Sequence, residues 1–181
     1  MNDTLPRGGQ PTAPGFFVKG AATLVLCTLL AGCESGGRSI PLTPVYESKD
    51  AIAEAFLRAL AARDQAALET LVVSEVEFRK YIWPKLPASA PDVGMPLDYV
   101  WSDTRLKNAG HLARLLSDHG GSTYKLVAVT FAGETTDYGP YRVHRETTLD
   151  VRGPKGAEAL RLFGSLVESG GRWKIYSFVV D

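Results

Sequence analysis

Cysteine is almost missing from this chain: 181 residues hold two, Cys27 and Cys33, both at the N-terminal apolar segment. Beyond Cys33 there is no thiol, which excludes a disulfide framework or a cysteine-held metal in the body of the chain. An excess of one charge sign is missing too. Lys plus Arg number 20 and Asp plus Glu number 20, so no basic field is available to hold nucleic acid. Histidine is scarce, at three residues. On one helix, His111 and His119 would lie about 12 Å apart along the axis, too far to share a metal. All three histidines read as surface residues, and neither a metal nor another cofactor is expected. No phosphate-binding glycine loop, zincin helix or serine-hydrolase elbow occurs. Long apolar runs are missing as well: Ala21–Leu30 is far short of the about 20 residues that cross a bilayer.

What remains is 45% hydrophobic and 22% charged, the balance of a globular protein. The length suits about one domain.

The N-terminal segment has a layout of its own. Arg7 and Lys19 precede the apolar run, and the small residues Ala31 and Gly32 follow it. A basic start, a short apolar stretch and a small-residue cut site make a secretory leader. Leu30-Ala31-Gly32-Cys33 resembles the lipobox of bacterial lipoproteins. The resemblance implies a signal peptide over 1–32, cleavage after Gly32, and diacylglycerol on the Cys33 thiol, often with a further acyl chain such as palmitate on the new amino group. Several chains anchor stably, because each buried methylene contributes about 0.8 kcal/mol and a single chain is marginal. The expected address is the cell envelope, lipid-anchored and facing the periplasm. Glu34, where enteric inner-membrane lipoproteins carry aspartate, favours the outer membrane. An ordinary secretory leader with Cys33 incidental is the competing reading.

Residues 33–47 mix small residues with Pro41 and Pro44 and read as the lipidated cysteine plus a flexible tether. Residues 48–181 read as one α+β domain. Asp50 and Asp64 are helix-capping candidates, with apolar Ile52, Phe56 and Leu60 at helical spacing and a bend near Arg63. Val76–Trp83 is of ambiguous type, and Pro84, Pro87, Pro91 and Pro96 exclude regular structure after it. A third helix is expected from Ser102 or Asp103 to Gly120-Gly121. Strands are expected at 123–132, 141–151, 158–168 and 172–180, separated by glycine turns and forming one antiparallel meander.

Helices followed by a meander of about four strands, ending Gly170-Gly171-Arg172-Trp173-Lys174-Ile175, resemble the nuclear transport factor 2-like fold. That family implies a curved sheet wrapped round the helices as a cone, often with a pocket. It implies no single activity. The Thr135–Gly139 hairpin also resembles one in other bacterial lipoproteins.

Candidate site residues follow from this picture. Asp98, Tyr99, Trp101 and Asp103 precede or open the third helix and could reach such a pocket; equally, Asp103 could be a helix cap and the aromatics core. Phe78, Tyr81 and Trp83 could line the pocket or fill the core. The proline-rich stretch 84–96 could be a lid or a passive connector. In strand 141–151, alternation puts Arg145 in the row facing the helices with Tyr141, Val143, Thr147, Leu149 and Val151. It is expected on the concave side, bonded to Asp98, Asp103 or Asp137, unless a bulge or snorkelling takes it to water.

Three functions stay open. One is a non-catalytic binding or scaffolding domain for an envelope protein or an apolar small molecule. A second is an isomerase- or dehydratase-type enzyme using Asp98 or Asp103 with Tyr99. The third is a homodimer that is chiefly structural.

Overall fold

The computed structural model describes residues 39–180. The leader, Gly32 and Cys33 lie outside the described residues.

Helix α1 (Lys49–Ala61) starts at Ser48, whose Oγ accepts from the Ala51 N–H at 3.0 Å; Asp50 sits in the first turn rather than at the cap. Its carboxylate there suits the positive end of the helix dipole. Arg63, at φ 54°, turns the chain. Asp64 caps α2 (Gln65–Thr70), as its position predicts, accepting from Ala67 N–H at 2.9 Å. A capping box between Ser74 and Glu77 opens α3 (Glu75–Glu77). The chain runs on through a wide π-type turn (Phe78–Ile82) and two 3₁₀ turns (Trp83–Lys85 and Pro87–Ser89). Helix α4 (Leu97–His119) then begins at Pro96, not at Ser102 or Asp103. Proline's fixed φ and missing N–H suit that end of a helix, where donors lack partners anyway.

Seven strands follow: β1 (Lys125–Phe131), β2 (Thr135–Asp137), β3 (Arg142–His144), β4 (Thr147–Gly153), β5 (Gly156–Leu160), β6 (Ser165–Ser169) and β7 (Arg172–Ser177). They form two antiparallel sheets, β1-β4-β5 and β2-β3-β6-β7. The expected single sheet of four strands is corrected here, because two of its strands break. Strand 141–151 breaks at Arg145-Glu146, where Glu146 adopts φ 53°. Strand 158–168 breaks between Leu160 and Ser165. Each gives one half to each sheet, so β4 pairs with β5 while β3 pairs with β6. Rejoined across the breaks, the four expected segments are still antiparallel neighbours in sequence order.

The four-stranded sheet is covered on both faces. Leu166 and Ile175 pack with Ile52, Phe56 and Leu60 of α1 and with Leu149 and Phe163. The residues beside them, Val143 and Val167, pack with Ile40, Leu42, Phe78, Ile82 and Tyr141. Alternation along a strand sends such neighbours to opposite faces. Helix α4 serves both clusters: Leu97, Val100 and Trp101 lean on the second, Leu112 and Leu115 on the first.

Part of the expected tether is therefore structural. Ile40 and Leu42 are buried, and Ile40 N–H donates to Ser169 Oγ at 2.8 Å. Tyr46 and Trp173 exchange backbone hydrogen bonds of 3.2 and 2.8 Å, and Ile175 bonds Leu71 and Val73 along the same edge of β7. Packing among the described residues thus already includes Ile40 and Leu42, ahead of residue 48, and the segment through Tyr46 covers a strand edge that would otherwise invite another chain.

Candidate functional site

Asn108 of α4 fixes the helix over the end of β7: its Oδ1 accepts from Phe178 N–H at 2.8 Å and from Ser177 Oγ at 3.1 Å. Between this crossing and the 69–75 segment lies a groove of about 600 Å³. Val72, Val73, Trp101, Leu112 and Phe178 form its apolar walls, and Thr43-Pro44 close one side. That volume falls within the range of small-molecule sites, which are mostly apolar with a few placed polar groups.

The charge beneath the groove is already engaged. Lys174 lines it with a side chain only 1% exposed, 2.7 Å from Glu77 Oε2. Lys174 Nζ also donates to Thr43 O at 2.6 Å. Glu77 Oε1 accepts from Thr43 N–H at 2.6 Å, and Oε2 accepts from Ser74 N–H and Ser74 Oγ at 2.7 and 2.8 Å. Burial alone would raise the Glu77 pKa, but the donors from Lys174, Ser74 and Thr43 outweigh it and hold the carboxylate below its ordinary value. Such a group stays ionised and is a poor proton donor at neutral pH. The groove thus has apolar walls over a buried Lys174–Glu77 pair whose charges are satisfied, with Glu69, Glu75 and Arg105 also in its lining.

A second cavity, of about 300 Å³, opens at the paired strand breaks. Tyr138, Val143, Arg145, Glu146, Arg161 and Tyr176 are among its lining residues. Trp101 and Arg145, expected to share one pocket, line two different ones.

The expected carboxylate cluster does not assemble. Asp98 lies in the first turn of α4 with its side chain 82% exposed, paired to Arg79 at 2.6 Å. Tyr99 is 66% exposed. Asp103 lies inside α4, not at its cap, and pairs with Lys107 at 2.8 Å. None of the three lines either cavity. With the helix beginning at Leu97, these residues fall on its outer surface. Asp137, the remaining expected partner of Arg145, accepts from Gly139 N–H at 2.6 Å within its own turn. Phe78 is core, with ring centroids 6.3 Å from Trp83 and 5.2 Å from Trp101.

One cluster escaped the sequence reading. His144, assigned to a solvated face, is buried between Phe131 and Trp173, with ring centroids at 4.7 and 4.9 Å. Its Nδ1 lies 3.0 Å from Thr135 Oγ1 and its Nε2 3.0 Å from Glu168 Oε2, which Arg142 also pairs through Oε1 at 2.8 Å. A hydroxyl, an imidazole and a carboxylate in series have the outline of a catalytic relay. However, neither Thr135, His144 nor Glu168 lines a cavity described here, and Arg142 neutralises the acid. The cluster reads as a satisfied polar plug in a doubly covered sheet. Its only sequence signal is the aromatic pair Phe131 and Trp173, far apart in the chain.

Among the described residues no group of three or more His, Cys, Asp or Glu side chains is placed to hold a metal ion. No described helix is long and apolar enough to cross a membrane. Comparison with family models, with curated proteins and with solved structures gives no match.

Proposed function

We propose that this chain is a bacterial lipoprotein precursor whose folded domain binds an apolar small molecule at the membrane surface. The observation that carries the binding reading is the groove of about 600 Å³ between α4 and the β7 edge, walled by Val72, Val73, Trp101, Leu112 and Phe178. Leu30-Ala31-Gly32-Cys33 supports cleavage after Gly32 and acylation of Cys33, with the domain in the envelope facing the periplasm and the outer membrane preferred. A groove on a domain anchored through Cys33 is well placed to exchange an apolar ligand with the bilayer. The bent, doubly broken sheet supports a distant kinship with the cone-shaped nuclear transport factor 2-like fold. A protein partner or a second copy is the alternative occupant of the domain's surface. It rests on Tyr99 and Leu106, 66% and 74% exposed and seven residues apart on one helix face.

N-phenyl-1-naphthylamine, a neutral apolar fluorophore, tests the groove. Its emission is expected to rise saturably at one probe per chain. Ala109→Trp, which places a large ring in the groove from an exposed position, is expected to weaken the probe's binding at least about tenfold while the fold is retained. Unsaturable binding, or binding unaffected by A109W, overturns the reading.

A further inference from the structure

The polar residues of the groove between α4 and the β7 edge are sorted by wall. The 69–75 segment brings the carboxylates Glu69 and Glu75, and helix α4 brings Arg105 and Asn108. Trp101, Arg105, Asn108 and Leu112 recur at steps of three and four residues, which puts them on one helix face.

The α4 wall donates. Asn108 Oδ1 is taken by Phe178 N–H and Ser177 Oγ at 2.8 and 3.1 Å. A backbone N–H can bond only the oxygen of a side-chain amide, so the NH2 end of Asn108 is the one left to donate. Arg105 is exposed and lies about one turn earlier. Among the described residues it enters no ion pair.

The facing wall accepts. Glu75 is held by Arg79 at 2.7 Å, and Arg79 also reaches Asp98. Glu69 is exposed and receives the neutral Gln65 amide at 2.8 Å. No cation among the described residues pairs with it. Arg105 and Glu69 thus line one groove with more than an ion-pairing distance between them.

Opposite charges on opposite walls select the head group of a ligand. An anionic head drawn to Arg105 is repelled by Glu69, and a cationic head drawn to Glu69 is repelled by Arg105. A head carrying both charges meets each with its opposite. Val72, Trp101 and Phe178 offer an apolar chain a surface on which to leave water.

We propose that the groove binds a zwitterionic amphiphile. Its cationic end meets Glu69, its anionic end meets Arg105 and the Asn108 amide, and its chain lies on Val72, Trp101 and Phe178. The inference rests on the groove being the apolar-ligand site and specifies the head group that this ligand carries.

Equilibrium dialysis of the full chain at pH 7, in a neutral sugar-headed detergent against detergent alone, tests the head group with labelled hexylphosphocholine. Three ligands with the same chain are compared: hexyl glucoside is uncharged, hexyl sulfate anionic and hexyltrimethylammonium cationic. Hexylphosphocholine is expected to saturate at one per chain and to bind about fivefold more tightly than any of the three, the scale of an exposed ion pair. Phosphocholine without the chain should bind at least about tenfold more weakly than hexylphosphocholine. Arg105→Gln should bring hexyltrimethylammonium level with hexylphosphocholine, and Glu69→Gln should do the same for hexyl sulfate. Damage to the fold would instead weaken every ligand alike. The proposal is overturned by any of the three comparison ligands matching hexylphosphocholine on the unaltered chain, by bare phosphocholine matching it, or by an unchanged order of preference in folded R105Q and E69Q. Equal, saturable binding of all four chains refutes the zwitterion and leaves the groove reading standing, whereas saturable binding of none refutes both. The comparison on the unaltered chain decides the matter even if neither variant folds.

Discussion

Glu77 is a carboxylate 5% exposed that remains ionised because donors from three residues surround it: Thr43, Ser74 and Lys174. Removing one partner of a buried pair strands the other charge, and that costs about 3–5 kcal/mol. Lys174→Met should destabilise the domain by about this much in urea unfolding at pH 7; a loss under 1 kcal/mol would mean that the backbone donors alone suffice. The pH dependence follows from the direction of the Glu77 shift. Its folded pKa lies below the ordinary 4.5, so its stabilisation is complete above that value and is lost as pH falls through the folded pKa. In K174M the acid limb should move to higher pH, because burial then raises the carboxylate with less opposition. Neither member of this pair was legible in the sequence. Lys174 lies between Trp173 and Ile175 and alternation assigns it to solvent, a reading that fails when the outer face is covered too. Arg145 failed differently. That Tyr141, Val143, Thr147, Leu149 and Val151 are buried was readable, but not that Tyr141 and Val143 pack in one cluster and Leu149 and Val151 in the other, because the left-handed turn at Glu146 carries no glycine or asparagine to announce it.

The elements repeat that contrast. The α1–α2 pair, the turn at Arg63 and the cap at Asp64 were readable, because capping and helical periodicity are local. The antiparallel sequence-order pairing was readable from the glycine turns. The start of α4 was not: a proline at 96 reads as a break until one asks whether it stands immediately before a helix, at its N-cap. The division into two sheets was hidden for a similar reason. A β-break needs one residue out of register, and alternation looks intact on both sides of it. Gly164 is the clearest element-scale test. Gly164→Ala brings a methyl group onto the Val179 carbonyl, backbone against backbone, with no flexible side chain to yield. Overpacking of this kind typically costs about 1–3 kcal/mol. The expected result is a drop of that size in unfolding free energy. An unchanged Tm would show that the C-terminal segment does not close on the break.

At the scale of the molecule, the four-stranded sheet is layered between a cluster built on α1 and a second one that includes the strap Ile40–Leu42. The strap joins the fold where a tether was expected, through buried Ile40 and Leu42 and the bond from Ile40 N–H to Ser169 Oγ. A groove beside this strap suits the proposed domain that receives an apolar ligand beside a bilayer, and that account depends first on the anchor. Intact mass spectrometry of the protein extracted from bacterial membranes tests it most directly. The account predicts a chain beginning at Cys33 and heavier than its sequence by a diacylglycerol, with or without an additional acyl chain. On this account Cys33→Ser is expected to abolish both the cut after Gly32 and the added mass, since a serine hydroxyl is a far poorer nucleophile than a thiolate. A membrane-extracted chain with an unmodified Cys33, or one cut at another position, would contradict it.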